Sequence, residues 1–234
     1  MNGIGALIFD VFGTLVDWRT AIAREARQHL SPLAIDVDWH AFADAWRDQY
    51  QPAMEEVRSG RLPFSKLDRL HRRNLDVVLA DLGLDQVDEA TRTALNLAWH
   101  RLDAWPDVAP GLLELRTSFR LAPCSNGNIS LMVDLARHNG LPWDAILGAE
   151  LARDYKPKAI VYLAAADAFD LAPTETMMVA AHSPDLAAAA AAGLRTAFVA
   201  RPHEFGPNTG ETSASVPVDL SAADLLDLAR LLQE

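Results

Sequence analysis

Apolar and polar positions divide this chain into two unlike parts. Near the start, the apolar run Ala6-Leu7-Ile8-Phe9 is closed by Asp10 and followed by Val11-Phe12-Gly13-Thr14. A short run of this kind predicts a buried strand over 4–9 that delivers a carboxylate to a loop. From Trp18 to Arg101 the period is helical, and Phe42, Trp46 and Tyr50 recur at every fourth position, on one helix face. Breaks at Ser31-Pro32, from Ser59-Gly60 to Pro63, and at Leu82-Gly83 divide this part into four expected helices, 18–30, 38–58, 65–82 and 87–101. Beyond Trp105-Pro106 the two patterns alternate. Strands are expected over 120–124, 145–147, 177–181 and 195–199, with helices near 108–118, 128–139, 157–169 and 184–192. Pro123 is awkward in a central strand. The alanine run 187–192 reads as a tightly packed helix stopped by Gly193. A last helix over 221–232 is expected to be capped by Ser221. Residues 203–217, rich in Gly, Pro, Ser and Thr, read as a surface loop.

Alternating strands and helices imply an α/β fold with a parallel sheet covered on both faces. The helical part interrupts it just after the first strand. The expected organisation is a core of 1–15 and 99–234 with a helical cap domain, 16–98, lying over Asp10 as a lid.

Composition narrows the function. Half of the 234 residues are hydrophobic, enough for one large domain or two small ones. The net charge of -11 speaks against nucleic acid or an anionic membrane as a partner, so an anionic substrate needs a local basic site. Lysine is confined to Lys66, Lys156 and Lys158, which makes each worth placing. Cys124 is the only cysteine, which excludes an intrachain disulfide and fits a reducing cytoplasm. The first apolar run lacks a basic leader and is broken by Asp10, and no stretch of about 18 uncharged apolar residues occurs, so neither signal peptide nor membrane span is expected. The expectation is a cytoplasmic protein.

Four segments carry candidate chemistry, each at the carboxyl end of an expected strand, where open parallel sheets bind ligands. Asp10 is a candidate nucleophile or an ordinary turn aspartate. Ser125-Asn126-Gly127-Asn128 can form an anion site at a helix start or a plain cap. Tyr155-Lys156-Pro157, with Val161-Tyr162 behind it, places a lysine that either reaches a carboxylate or sits in solvent. Val179-Ala180-Ala181-His182-Ser183-Pro184-Asp185 runs a fourth strand into polar residues. Cys124, at the end of an apolar strand with no histidine in its segment, reads as buried and inert.

Together the segments FDVFGTLVDWR, WRDQY, SNGN, YKP with VY, and AAHSPDL resemble the haloacid dehalogenase superfamily, and within it the type II L-2-haloacid dehalogenases. The resemblance covers nearly the whole chain. It implies a Rossmann-like core, no cofactor, no metal ion, a homodimer, and hydrolysis of small 2-haloalkanoic acids through an aspartyl ester, with release of a halide ion. Carried over residue by residue, it makes Asp10 the nucleophile and Lys156 the cation that holds it ionised. Thr14 and Ser125 would bond the nucleophile or the substrate carboxylate, with the N–H groups of Val11, Phe12 and Asn126 also on that carboxylate. Arg47 and Asn126 would receive the halide, and Asp185 would position Lys156 or the hydrolytic water. Tyr162 would donate to the site, and Phe12, Trp46 and Tyr50 are candidates for its aromatic walls, although each also suits the cap core. The sequence departs from better-known members at Ala180 and His182, where they carry serine and asparagine; His182 is then a candidate base for water or donor to the halide. The natural competitor is a magnesium-dependent phosphatase of the same superfamily. It would need a second aspartate two residues after the nucleophile, and that position is Phe12.

Overall fold

The computed structural model describes residues 3–233; residues 1–2 and 234, the outer ends of the expected core segments, lie outside it. Strand β1, Ala6–Phe9, has no exposed residue. Such burial requires apolar side chains on both faces, which is why its sequence shows no alternation. Burying Leu7, Ile8 and Phe9 contributes roughly 1.5–3 kcal/mol each and fixes the point where Asp10 emerges.

The helical part follows. Helix α1, Trp18–Leu30, is capped by Asp17, whose carboxylate accepts from Thr20 N. The single helix expected over 38–58 is two: α2, Trp39–Asp48, capped by Asp38, and α3, Tyr50–Arg58. Pro52 explains the break, because its ring has no N–H to donate and would clash with the carbonyl of residue 48 in a continuous helix. Helices α4, Leu67–Asp81, and α5, Glu89–Asn96, complete it, and a 3-10 turn over Leu97–Arg101 replaces the end of the expected fourth helix. The chain leaves and returns at one place: Asp17 N donates to Asp103 O and Trp105 N to Leu15 O, both at 2.9 Å.

Helix α6, Val108–Leu115, then leads into β2, Arg120–Ser125, α7, Ile129–Asn139, β3, Leu147–Gly148, and the short α8, Ala149–Ala152. Helix α9, Ala159–Asp167, β4, Thr176–Ala180, α10, Ser183–Ala191, and β5, Arg195–Val199, follow. A sixth strand, β6, Leu220–Ala222, pairs with β5. Ser221 therefore lies in a strand and caps nothing. The final helix, α11, begins at Leu225, and Asp224 Oδ1 accepts from Asp227 N at 2.8 Å in its place.

All six strands are parallel, in the order β3-β2-β1-β4-β5-β6. Leu7, Phe9, Met177 and Val179 face one side, where α6, α7 and α11 share a continuous core with the helical part. Ile8, Ala122, Met178 and Phe198 face the other, against α9 and α10. Pro123 is accommodated because its nitrogen points towards β3, which reaches β2 only at Cys124 and Ser125. Two residues earlier on that side, Leu121 N is satisfied by the Asp144 side chain instead. Among the described residues, no helix is long and apolar enough to cross a membrane.

Candidate active site

Asp10 directly follows β1, its N–H on Val179 O at 2.9 Å, so the sheet itself aims its side chain at the carboxyl end. The residue is buried and its carboxylate fully engaged. Lys156 Nζ donates to Oδ1 at 2.8 Å; Thr14 Oγ1 donates to Oδ2 at 2.7 Å, and His182 Nδ1 lies 3.0 Å from the same oxygen. Burial opposes a charge here, but the lysine and histidine outweigh it and hold the carboxyl far below the usual range.

Lys156 reaches the site from the loop before α9. Its N–H donates to Asn126 Oδ1 at 2.9 Å, and its carbonyl accepts from Arg58 Nη1 at 2.7 Å. The ammonium also donates to Asp185 Oδ2 at 2.6 Å, and Tyr162 Oη donates to Asp185 Oδ1 at 2.5 Å. Asp185 stands in the first turn of α10, so strands β1 and β4 and the helices behind them deliver two carboxylates to one lysine. Burial works against the ammonium, yet Asp10 and Asp185 raise its affinity for the proton well above normal. Burial and Asp185 likewise keep the Tyr162 phenol protonated.

Thr14 serves two partners: its oxygen also accepts from Ala181 N at 2.9 Å, which ties the loop after β1 to the end of β4. Val11 O accepts from Leu15 and Val16, whereas the Val11 and Phe12 N–H groups have no acceptor among the turn bonds of the described residues. Of the two partners expected for Ser125, the nucleophile is not one that it meets. Its hydroxyl is buried and accepts from Gly127 N at 3.0 Å, with no bond to Asp10 among the described residues; it shapes the loop that holds Asn126.

The helical part supplies Arg47. Its guanidinium carbon lies 4.0 Å from the centre of the Tyr50 ring, 5.3 Å from Trp18 and 5.8 Å from Phe12, and its Nη1 is buried without a partner among the described residues. A buried, unpaired guanidinium nitrogen costs free energy unless an anion completes it, so this is where an anion is expected. Phe12 forms the apolar wall, edge-on to Tyr50, His71 and Trp99. Trp46 does not line the site. Its indole N–H donates to His71 O at 2.9 Å, and its ring packs on Phe42 and Trp99; one position from Arg47 on a helix, it points about 100° away, into the core. Cys124 is buried, its thiol pushed up to about 12 by burial, as the inert reading requires.

One residue went unseen in the sequence. The segment read as a surface loop sends Glu204, 2% exposed, back to His182: Nε2 lies 2.9 Å from Oε2 and 3.1 Å from Oε1. Arg201 anchors this segment with Nε on Thr14 O and both Nη groups on Asp107. Periodicity carries no trace of a single inward glutamate in a loop; the one signal was Gly13. Its φ of +87° is left-handed, and a Cβ there would sit 2.0 Å from Glu204 Oε1.

His182 thus stands between two carboxyl groups, one at each ring nitrogen. Burial disfavours the charge, but hydrogen bonds to Asp10 and Glu204 raise its pKa to about 10. A group raised in the folded state stabilises fully below its unfolded pKa of about 6.5 and loses that contribution as pH rises through its folded value. Thermal stability of the wild type should therefore fall between about pH 6.5 and pH 10, and His182→Asn should flatten that slope in a melting series.

The site thus holds an aspartate at the end of a central parallel strand, bound by a lysine, with an arginine packed against the ring of Phe12 two residues further on. Residues 4–193 match the haloacid dehalogenase-like hydrolase family, and the chain belongs to that family. It is 29% identical over 212 residues to (S)-2-haloacid dehalogenase 1 of Pseudomonas sp. strain CBS-3, covering 88% of this chain and 89% of that one. The crystal structure of a defluorinating L-2-haloacid dehalogenase superposes with a TM-score of 0.96 at 44% identity, covering 99% of this chain and 96% of that one. The L-2-haloacid dehalogenase of Xanthobacter autotrophicus with chloropropionic acid covalently bound gives a TM-score of 0.83 at 25% identity, covering 98% of each chain.

Proposed function

We propose that this protein hydrolyses small 2-haloalkanoic acids, L-2-haloacids and haloacetates, to 2-hydroxy acids. The observation that carries the reading is the Asp10 carboxylate held by Lys156, Thr14 and His182, with an Arg47 nitrogen that has no partner among the described residues packed near Phe12, two residues after it. The carboxylate attacks the carbon that bears the halogen, inverts it, and forms an aspartyl ester. The departing halide meets Arg47 and Asn126, while the Val11 and Phe12 N–H groups receive the substrate carboxylate. Water then opens the ester, with Lys156 and Thr14 stabilising the oxyanion.

A phosphatase reading fits the residues less well. Phosphoryl transfer on this scaffold needs an acid where Phe12 stands. Asp185, the remaining acid of the fourth motif, is occupied by Lys156 and Tyr162, and among the described residues no group of three His, Cys, Asp or Glu side chains is placed to hold a metal ion. A homodimer in the cytoplasm belongs to the same proposal.

Incubation with chloroacetate, with L-2-chloropropionate and with a phosphomonoester, each with and without EDTA, tests the reading. Halide release insensitive to chelator is expected; chelator-sensitive phosphate release without halide release would reverse it. In the same assay Arg47→Ala should lower kcat about 10–100-fold, the loss of one charge-assisted hydrogen bond of about 1.5–3 kcal/mol to the departing halide.

A further inference from the structure

Glu204 is built into the site. It accepts from Trp18 Nε1 at 3.2 Å as well as facing His182, and its approach requires the left-handed glycine at 13. On the far side of the imidazole, Nδ1 meets Asp10 Oδ2 at 3.0 Å. These two carboxyl groups are the charged side chains in hydrogen-bond contact with the ring; Lys156 and Asp185 follow one and two contacts further on, beyond Asp10.

We propose that Glu204 is a positioning residue that lets His182 exchange roles between the two halves of the reaction: a charged donor while Asp10 is a carboxylate, and a base for water once Asp10 is an ester. The inference rests on the dehalogenase reading above. In the resting site two anions hold the imidazolium. Ester formation converts one of them into a neutral acyl group, and the remaining pull on the Nδ1 proton weakens. That proton passes to solvent and is the one the net reaction releases, R–X + H₂O → R–OH + H⁺ + X⁻. The neutral ring keeps its Nε2–H on Glu204 and turns the Nδ1 lone pair towards the ester, as a base oriented through its other nitrogen. Water adds to Asp10 Cγ and gives one proton to Nδ1. The bond from the aspartyl oxygen-bearing Cγ to the substrate oxygen then breaks, and the leaving alkoxide takes that proton. The carboxylic acid left on Asp10 returns its own proton to Nδ1, which restores the resting pair.

Titration of the His182 ring nitrogens by ¹⁵N NMR in the full-length protein tests this, with His182→Asn for assignment. Asp10→Asn stands in for the ester, equal in shape and without charge. The wild-type ring should remain imidazolium beyond about pH 9, and Asp10→Asn and Glu204→Gln should each lower the midpoint by about 1–3 units. A midpoint in Asp10→Asn equal to the wild type overturns the proposal. The titration involves no substrate, so its outcome is independent of the halide assay; an inactive protein with the expected shifts would fault the assigned reaction, not the charge coupling. In the active enzyme, rapid-quench mass spectrometry should show the ester accumulating in Glu204→Gln, its hydrolysis slowed about 10–100-fold and its formation less affected. Equal slowing of both steps overturns the assignment to the second half. Should Glu204→Gln fail to fold, Glu204→Asp, which restores the charge at a longer reach, is expected to hold an intermediate midpoint.

Discussion

Asp10→Asn is expected to abolish halide release, with kcat falling on the order of 10⁴–10⁶-fold. The amide keeps the shape of the carboxylate but is no nucleophile at carbon, and nothing else in the site replaces it. Cys124 is buried with its thiol protonated, and Asp185 is held by Lys156 and Tyr162. The substitution also places an NH₂ group against donors, because Oδ1 faces Lys156 while Oδ2 faces Thr14 and His182. Some loss of stability should accompany the loss of rate. Single-turnover mass spectrometry in ¹⁸O water separates the two effects: the wild type should carry label into the Asp10 carboxylate, and Asp10→Asn should form no substrate adduct while giving a folded circular dichroism spectrum. Label appearing only in the product would show that water attacks the substrate directly.

Lys156→Met should have the second largest effect. The ammonium is 7% exposed and joins two carboxylates that are themselves 10% and 12% exposed. Removing one partner of a buried ion pair costs about 3–5 kcal/mol, because it leaves the other charged and unpaired. Here two acids lose their cation, and Asp10 keeps only His182 and Thr14. The kcat is expected to fall about 10²–10⁴-fold, and the acid limb of kcat/KM to move to higher pH, since the lysine charge is the largest influence lowering the Asp10 pKa. Stability follows the same sign. A depressed carboxyl contributes above its unfolded value of about 3.9 and loses that contribution as pH falls towards its folded value. Below pH 4, then, wild type and variant should converge in melting temperature. A parallel pH dependence of the two proteins would show that Lys156 does not govern Asp10.

Much of this site was legible because each motif closes an apolar run. Leu7-Ile8-Phe9 before Asp10 and Met177-Met178-Val179 before the HSPD stretch announce buried strands, and parallel strands deliver their ends to one rim. Lys156 was conspicuous through scarcity. Pro52, in contrast, hides inside a strong helical period, and Ser221 reads as a cap because Leu220–Ala222 is too short to show a strand pattern. Trp46, one helical step from Arg47, suits either the pocket wall or the cap core by pattern, and its packing on Trp99 places it in the core; Ser125 bonds Gly127, a contact that no linear pattern shows.

Local periodicity is enough to read the α/β order and the helical insertion after the first strand, and neighbours in the chain are enough to place the acids and the lysine at the strand ends. What approaches them from distant segments exists only once the chain is folded. Arg47 is enclosed by three aromatic rings, those of Phe12, Trp18 and Tyr50, and the proton affinity of His182 is raised because Glu204 returns from a loop 22 residues further along the chain. Charge state depends on all neighbours within a few ångströms, and burial strengthens each of those interactions; no linear pattern encodes that sum.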